Sequence, residues 1–362
     1  EAQNTGFIDT PIDLSKLDLS NEWFLNISLL TTKDQIWVTK DYPIIREQLQ
    51  VNTFSYDSYK TAREPLLIKT HQNNSVQTIV GSDFTVDIDY KSGQLKNYRF
   101  NNQLLFEIGP EINFVRAATD NDAGNRLLKK PFRFATQWRN AGLYDLKPIL
   151  KSLVVDGNKV VVEHDLKGKK DGGFNTKIIY SFFTDGAIKF DFEAEAYGAS
   201  ILNLPSLPKV GSQWSLPKEM NYMEWYGKGP FHNYSDRSNG TFIKEFGATV
   251  EEQFVNYPYP QEHGNKMDVR WVTMHNNLGY GLKILPLQPL ETSAHIYTTK
   301  NLDKATHTYE LKPTQNVFWN LDFKQCGLGN GSCGSNTRYE YCISPKINYK
   351  FGYQMIPFSI KN

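Results

Sequence analysis

The stretch that decides the fold lies at residues 84–100 and reads FTVDIDYKSGQLKNYRF. From Phe84 to Tyr90 apolar and polar residues alternate, so an extended chain would have one apolar face and one polar face. Lys91-Ser92-Gly93 then reverses the chain, because glycine accepts the positive φ of a tight turn, and a second extended run ends at Phe100. The pattern predicts an antiparallel hairpin with one buried face.

The same pattern occurs twice more, at residues 153–163 around Gly157-Asn158 and at residues 177–194 around Thr184-Asp185-Gly186. Helical patterns are sparse and are limited to short stretches at 125–141 and 303–310. Aromatic residues make up 14% of the chain, which suits large sheet faces. We therefore predict an all-β fold built as an antiparallel β-sandwich.

A polar segment at residues 70–75 separates two strand-rich parts of the chain. Before it, residues 23–29, 35–38 and 45–51 give about three strands, which are too few to close a sandwich. The chain also starts at Glu1 rather than at Met, so we expect a processed or excised segment of a larger protein. The predicted domains are residues 1–72, a truncated module, and residues 75–362.

The charge balance and hydropathy exclude two classes of partner. The chain has 40 basic and 39 acidic residues, a net charge of +1, which argues against nucleic acid recognised through bulk electrostatics. No run of eighteen apolar residues is present, so no membrane span is expected. The three cysteines, Cys326, Cys333 and Cys342, are an odd number and do not describe a disulfide framework.

Two loops resemble known ligand-binding motifs only superficially. Asp120-Asn121-Asp122-Ala123-Gly124 resembles the opening of a calcium loop, but Pro131 stands at the twelfth position, where a bidentate Glu is needed. One alternative is a general acid and base, although carboxylates two residues apart on an extended chain are expected on opposite sides. The others are carboxylates that bond backbone amides in an irregular turn or that reach a partner surface. The glycine-rich residues 327–334 lack the lysine of a P-loop and the spacing of a nucleophile elbow, which leaves a flexible turn at a sheet edge. The seven histidines have no metal-binding spacing, so we predict no metal and no cofactor.

Two segments, residues 225–237 and 259–271, combine aromatic rings with paired hydrogen-bond donors and acceptors. Such a combination suits a sugar, whose CH face stacks on a ring while its hydroxyls need both kinds of bond. An aromatic core with satisfied polar groups would give the same composition. The candidate sugar-contact or structural residues are Trp225, His232, Glu262, His263 and Trp271.

Several ordered motifs together resemble the C-terminal region of the bacterial glycoside hydrolase family 2 β-galactosidases. They cover most of residues 80–360 and are residues 115–124 (VRAATDNDAG), 225–230 (WYGKGP), 233–237 (NYSDR), 260–264 (PQEHG), 268–271 (DVRW), 291–295 (ETSAH) and 326–329 (CGLG). The resemblance implies that residues from about 75 onward form a large β-supersandwich of the galactose-mutarotase-like kind. Residues 1–72 would then be the later strands of an immunoglobulin-like sandwich.

The resemblance also implies where the chemistry lies. In that family two glutamates in a preceding (β/α)8 barrel carry out retaining hydrolysis through a covalent galactosyl intermediate. No part of this chain resembles the barrel, so both catalytic glutamates are expected outside it and no catalytic residue within it.

Loops of this chain are still expected to reach the active-site mouth. These are Asp120, Asn121, Asp122 and a hinge at Gly124, together with Cys333 or Gly334, where a well-known family member places a tryptophan. His263 replaces the Asn that the family pattern often has.

Three functions are therefore weighed. The leading one is the non-catalytic C-terminal part of a β-galactosidase, with the missing catalytic barrel and the β-galactoside substrate as partners and with homo-oligomers in the full-length protein. The second is a stand-alone carbohydrate-binding module. The third is mutarotase-like epimerisation with Glu262 and His263 as base and acid. Adjacent residues on a strand point to opposite faces, which argues against this pair. Compartment, periplasm or cytoplasm, stays open.

Overall fold

The computed structural model describes residues 5–7, 9, 12–69, 75–124, 130–329 and 337–360. The chain divides into two compact units, Glu1–Ser55 and Tyr56–Asn362. In the described part of the first unit, β1 (Phe24–Leu30) pairs with β2 (Pro43–Gln50) as an antiparallel two-stranded sheet. The immunoglobulin-like assignment of this unit stays a prediction.

The second unit contains the remaining strands. In chain order they are β3 (Val76–Val80), β4 (Phe84–Asp89), β5 (Gln94–Phe100), β6 (Gln103–Asn113), β7 (Lys147–Asp156), β8 (Lys159–Lys167), β9 (Gly173–Phe182), β10 (Ile188–Tyr197), β11 (Lys209–Pro217), β12 (Tyr222–Gly229), β13 (Phe242–Thr249), β14 (Lys266–Val269), β15 (Trp271–His275), β16 (Tyr280–Pro286), β17 (Leu290–His295), β18 (Asn316–Gln325) and β19 (Tyr349–Ser359). The short helices are α1 (Asp120–Ala123), α2 (Phe134–Ala141), α3 (Ala199–Leu202) and α4 (Thr299–Lys304). Single 3-10 turns lie at Leu14–Lys16, Tyr56–Tyr59, Leu143–Asp145, Thr308–Glu310 and Tyr339–Tyr341.

These strands form two large antiparallel sheets. Among the described residues one sheet has nine strands in the order β13-β12-β15-β16-β19-β10-β9-β8-β7, and the other has eight in the order β14-β17-β18-β11-β6-β5-β4-β3. The prediction of an all-β, antiparallel, two-sheet fold is confirmed. No helix in the described ranges is long and apolar enough to cross a bilayer.

Aromatic side chains from both sheets meet at the centre of the second unit. Trp214 of β11 is fully buried, and its ring centroid lies 5.1 Å from that of Phe106 and 5.2 Å from that of Phe190. The indole Nε1 donates to the hydroxyl of Tyr353 at 3.1 Å, so the polar atom of this large side chain is satisfied inside the core. The abundance of aromatic residues is therefore explained by core packing between the sheets.

The predicted hairpins form as expected. Gly93, Gly157 and Gly186 all have positive φ, at 71°, 59° and 83°, and each lies in the turn between two paired strands. The burial of β4 alternates residue by residue, as the pattern around Phe84 predicted. Local sequence therefore determines these three turns.

Three predicted elements differ in the structure. Residues 35–38 are not a strand, because the amide of Gln35 donates to the carbonyl of Val38 at 2.7 Å and closes a tight turn. Helix α2 begins at Phe134, after Pro131, whose ring disfavours a helix that continues through it. Residues 125–129 of the predicted stretch lie outside the described residues. Helix α4 begins at Thr299, earlier than predicted, because the hydroxyl of Thr298 caps it.

The predicted domain border at about residue 72 lies beyond the observed division at Ser55 and Tyr56. Leu66 and Ile68 explain the difference, since their amides donate to the carbonyls of Phe182 and Gly157, each at 3.0 Å. Residues that the sequence grouped with the first module are therefore hydrogen-bonded within the second unit.

Candidate functional site

The acidic segment predicted as an active-site loop forms the single helical turn α1. The hydroxyl of Thr119 accepts from the amide of Asp122 at 3.2 Å, and the Asp122 carboxylate accepts from the amide of Thr119 at 2.9 Å. This capping box satisfies two amides that the start of a helix leaves free. Asp122 therefore points inward and is buried, whereas Asp120 is exposed. Gly124, with φ of 62°, ends the turn.

Arg116 holds this turn against the loop that follows β18. Its Nη2 lies 2.9 Å from Oδ1 of Asp122, and the side chains of this ion pair are 0% and 1% exposed. The same guanidinium donates to the carbonyl of Gly327 at 3.0 Å and to the carbonyl of Cys326. We call these residues, with Asn121 and residues 328–329, the Arg116 cluster. A buried arginine suits this role, because its planar fork of donors can serve a carboxylate and two carbonyls at once.

The loop after β18 is fixed from its other side by Asp236. The two oxygens of this carboxylate accept from the amides of Leu328 and Gly329 at 2.9 and 2.8 Å. Asn121 donates to the carbonyl of Gly329 at 3.3 Å, so α1 and this loop are in direct contact. A Cβ on Gly329 would lie 2.8 Å from the Cβ of Asn121, which explains why glycine stands there. Cys333 and Gly334 lie outside the described residues.

Gln261 connects α1 to the second aromatic segment. Its side-chain oxygen accepts from the amide of Asp120 at 3.0 Å, and its nitrogen donates to the Asp120 carboxylate at 3.0 Å. The structure therefore brings Asp120, Asn121 and Asp122 together with residues 261–262 and 326–329 beside the C-terminal end of β18.

Glu262 and His263 are both buried but lie in different surroundings. Glu262 faces Gln325 on β18, and burial raises the pKa of its carboxyl to about 7. The ring of His263 instead lies 4.6 Å from that of His295, and burial lowers its pKa. The two side chains thus have different partners, and no hydrogen bond found among the described residues joins them as a cooperating base and acid.

Glu262 belongs to a group of buried charges beneath the cluster. Lys209 and Asp322 pair at 3.1 Å, and both are fully enclosed. The side-chain Nδ2 of Asn265 donates to Oε2 of Glu291 at 2.7 Å, while burial raises the pKa of Glu291 to about 8. These contacts join β11 to β18 and the segment before β14 to β17, while Oδ1 of Asp322 and Oε1 of Gln325 have no hydrogen-bond partner among the described residues.

The two candidate tryptophans do not share a face. On the paired strands β12 and β15, Trp225 stands opposite Val272, whereas Trp271 stands opposite Tyr226. Since alternate residues of a strand point to opposite faces, Trp225 and Trp271 lie on opposite sides of the sheet. Phe246 stacks on Trp225 at 5.4 Å, so that ring face is not open to a sugar.

His232 lies beside Trp225 at the mouth of a cavity. Its Nδ1 accepts from the amide of Gly264 at 3.4 Å, and burial, followed by the charges of Arg237 and Lys266, lowers its pKa to about 4. His232 is therefore neutral at physiological pH. Among the described residues, no group of three or more potential metal ligands is found.

Sequence reasoning singled out the stretches around these residues but missed the residues that organise them. Arg116, Asp236 and Gln261 were inside quoted motifs, yet they were given no role. A charged residue beside an apolar run, such as Arg116 between Val115 and Ala117, is the signal that could have identified a buried ion pair.

The fold and the site together define a two-sheet antiparallel β domain with a loop-bearing edge that is held together by buried charges. Residues 80–355 match the family model described as "Beta galactosidase small chain", and the chain belongs to this family.

The curated relatives are themselves named β-galactosidases. One from Priestia megaterium is 30% identical over 341 residues, which cover 93% of this chain and 32% of that protein. Those from Halalkalibacterium halodurans and Streptococcus thermophilus are 27% and 26% identical, over 92% and 94% of this chain and 32% of each relative. The chain thus spans about a third of the length of these relatives.

Solved structures with a similar shape include sugar epimerases. A GalM/aldose epimerase homologue from C. elegans has a TM-score of 0.46 at 11% identity, covering 79% of this chain and 99% of that one. A galactose mutarotase related enzyme from Lactobacillus acidophilus has a TM-score of 0.44 at 8% identity, covering 79% and 98%.

Proposed function

We propose that this chain is the non-catalytic C-terminal part of a β-galactosidase that hydrolyses terminal β-D-galactose residues with retention of configuration. The family match over residues 80–355 supports this proposal. The share of about a third of each named relative also supports it, since the remaining two thirds leave ample room for a catalytic barrel. The catalytic pair of carboxylates that retaining hydrolysis requires is assigned to that barrel.

The observation that carries a supporting role is the Arg116 cluster. Arg116 bonds Asp122 on one segment and the carbonyls of Cys326 and Gly327 on another, so the two loops expected at the active-site mouth are held as one piece. Positioning of this kind contributes to catalysis, because a wall that does not move keeps the substrate in its productive orientation. Gly124 would act as the hinge where the fixed turn meets the following residues.

The experiment measures hydrolysis of a nitrophenyl β-galactoside by this chain alone and by the full-length gene product. The chain alone should show no turnover. In the full-length protein, Asn121→Ala should raise KM by about 10-fold with a smaller change in kcat, because it removes one of the contacts that join α1 to the 326–329 loop and loosens the substrate wall. Lys169→Ala, at an exposed ion pair with Asp145, is the matched control and should leave both constants unchanged.

Two results would contradict this function. Turnover by the isolated chain that survives repeated purification would show that it holds its own catalytic groups. Full-length protein with no β-galactosidase activity would refute the assignment of the whole protein.

A further inference from the structure

A cavity of about 770 Å³ lies beside β12, between the loop that joins it to β13 and the segment at residues 252–256. Its wall includes Trp225, Phe231, Arg237, Gln253, Phe254 and Lys266. The volume falls in the range of small-molecule sites, which are concave and largely apolar with a few polar groups. It is separate from the Arg116 cluster, none of whose residues lines it.

Lys266 places a buried amine on this cavity, and within the described ranges no carboxylate forms an ion pair with it. The side chain is almost fully buried, and its Nζ donates to the carbonyl of Gly264 at 2.8 Å and to Oε1 of Gln253 at 3.3 Å. The ring of Trp225 lies 5.0 Å from Nζ, and burial lowers the pKa of the lysine to about 7. A buried cation of this kind is costly unless an anion approaches it, so the cavity wall favours a negative ligand.

The other charged groups on the cavity strengthen this preference. Arg237 is exposed at the rim, and within the described ranges neither it nor Lys266 takes part in an ion pair. Glu252 also lines the cavity, but its carboxylate accepts from the amide and hydroxyl of Thr249 at 2.8 and 3.0 Å. His232 is neutral, because burial and the two cations lower its pKa to about 4. The permanent cation of Arg237 and the titratable amine of Lys266 therefore face the Glu252 carboxylate, which is already hydrogen-bonded.

The uncharged part of the wall suits a compact hydroxylated ring. Asn239, Thr241 and Asn256 offer amide and hydroxyl groups, which can both donate and accept hydrogen bonds. Phe231 is 74% exposed and presents an aromatic face at the same cavity. Hydroxyls need paired donors and acceptors, and the CH face of a ring packs on an aromatic side chain.

We propose that this cavity binds a small organic anion with one carboxylate on a hydroxylated ring, its carboxylate facing Lys266 and Arg237. The proposal goes beyond the supporting role above and does not depend on it, because the site lies within this chain and its test requires no hydrolysis.

Calorimetric titration of the whole chain at pH 7 with three probes tests the ligand class. D-galacturonate carries both ring and carboxylate, D-galactose lacks the carboxylate, and acetate lacks the ring. We expect saturable binding of galacturonate and at least about 10-fold weaker binding of the other two, since a charge-assisted hydrogen bond contributes on this scale. Equal binding of galactose would overturn the anionic preference, equal binding of acetate would overturn the role of the ring, and absence of galacturonate binding would overturn the site.

Variants test the two cations separately. Arg237→Gln is at an exposed position and should weaken galacturonate binding by about 10-fold or more without affecting folding. Lys266→Met should abolish the binding, with circular dichroism as the check on its fold. Lys244→Gln removes a positive charge from an exposed position on β13 that does not line the cavity, and it should bind as the native chain does. Equal losses in Lys244→Gln and Arg237→Gln would show only a general charge effect and refute the site.

Proton uptake on binding distinguishes a Lys266 that contacts the ligand from one that only stabilises the fold. Burial lowers the pKa of Lys266 to about 7, so at pH 8 the free protein holds most of this amine uncharged. An anion favours the charged amine, so binding at pH 8 should take up close to one proton, and affinity should fall as the pH rises above about 7. Titrations in two buffers of different ionisation enthalpy measure this uptake. Uptake that persists in Lys266→Met would refute the assignment to Lys266.

Discussion

Arg116→Met removes the cation that faces the buried carboxylate of Asp122 while keeping a long apolar side chain in its place. Loss of one partner from a fully buried pair costs about 3–5 kcal/mol, because the remaining charge is left in a poorly polarisable interior. The carbonyl of Cys326 also loses its donor, whereas Gly327 keeps the hydroxyl of Thr337 at 2.9 Å. We therefore expect a loss of about 4 kcal/mol in the free energy of unfolding of the second unit.

Urea unfolding followed by tryptophan fluorescence and by circular dichroism measures this loss. With an m-value of about 3 kcal/mol/M, a loss of about 4 kcal/mol lowers the midpoint by about 1.3 M. The double variant Arg116→Met/Asp122→Leu should recover part of the loss, because an apolar pair leaves no buried charge. An unchanged m-value is required for the comparison, since a changed slope would mean a changed denatured state.

The matched control is Lys350→Met, which removes a cation from an exposed pair with Glu193 whose side chains are 71% and 43% exposed. Exposed pairs contribute about 0–1 kcal/mol, so its midpoint should move little. If Arg116→Met loses no more free energy of unfolding than this control, then Arg116 does not hold the cluster together and the reasoning fails.

Burial raises the pKa of Glu291 from 4.5 to about 8. Between pH 4.5 and pH 8 the folded protein therefore binds more protons than the unfolded chain, and its stability falls as the pH rises. The free energy of unfolding of Glu291→Gln relative to that of the native chain should therefore rise by about 3 kcal/mol between pH 5.5 and pH 7.5. The same difference between the two proteins at both pH values would contradict this. Gly329→Ala should lose about 1–3 kcal/mol of unfolding free energy, more than Gly157→Ala. Gly329 has φ of 106° and its added Cβ would meet Asn121, whereas Gly157 has φ of 59°, which alanine tolerates better, and its Cβ would meet no neighbour. Equal losses of unfolding free energy in the two variants, measured by thermal unfolding, would rule out the contact with Asn121 as the cause. Iodoacetamide should alkylate Cys342 before Cys326. The hydrogen bond between the two thiols lowers the pKa of Cys342 and raises that of Cys326, and Cys342 is also partly exposed. Peptide mass spectrometry measures both rates, and faster reaction of Cys326 would refute the assignment.

The hairpins were predictable because their determinants lie within a few residues of one another. Alternation around Phe84 sets which face is buried, and the glycine at position 93 adopts the positive φ that the turn needs. The family motifs were likewise local strings, and the match over residues 80–355 agrees with the resemblance that they suggested. Short helices were predicted less well, since their ends depend on single caps such as Thr298.

The candidate site was only partly predictable, because its organising residues are defined by partners far away in the chain. Asp120, Asn121 and Asp122 were identified, but Gln261, which holds Asp120, is 141 positions away. The sugar-contact hypothesis grouped Trp225 with Trp271 on composition, and the strand register places them on opposite faces. The burial of Lys266 and its carbonyl partner arise from segments packed together, so neither can be inferred from the residues beside it in the sequence.

The sequence by itself determined the class of fold, the positions of the tight turns and the family, since alternation and short motifs are properties of neighbouring residues. Only the tertiary structure decided which distant segments contact one another. Arg116 donates to the carbonyl of Cys326 across 210 positions, and Gln261 and Asn121 join α1 to the second aromatic segment and to the loop after β18. The physical reason is that burial, electrostatic balance and cavity shape arise from distant segments packed together, and so they exist only once the two sheets have formed.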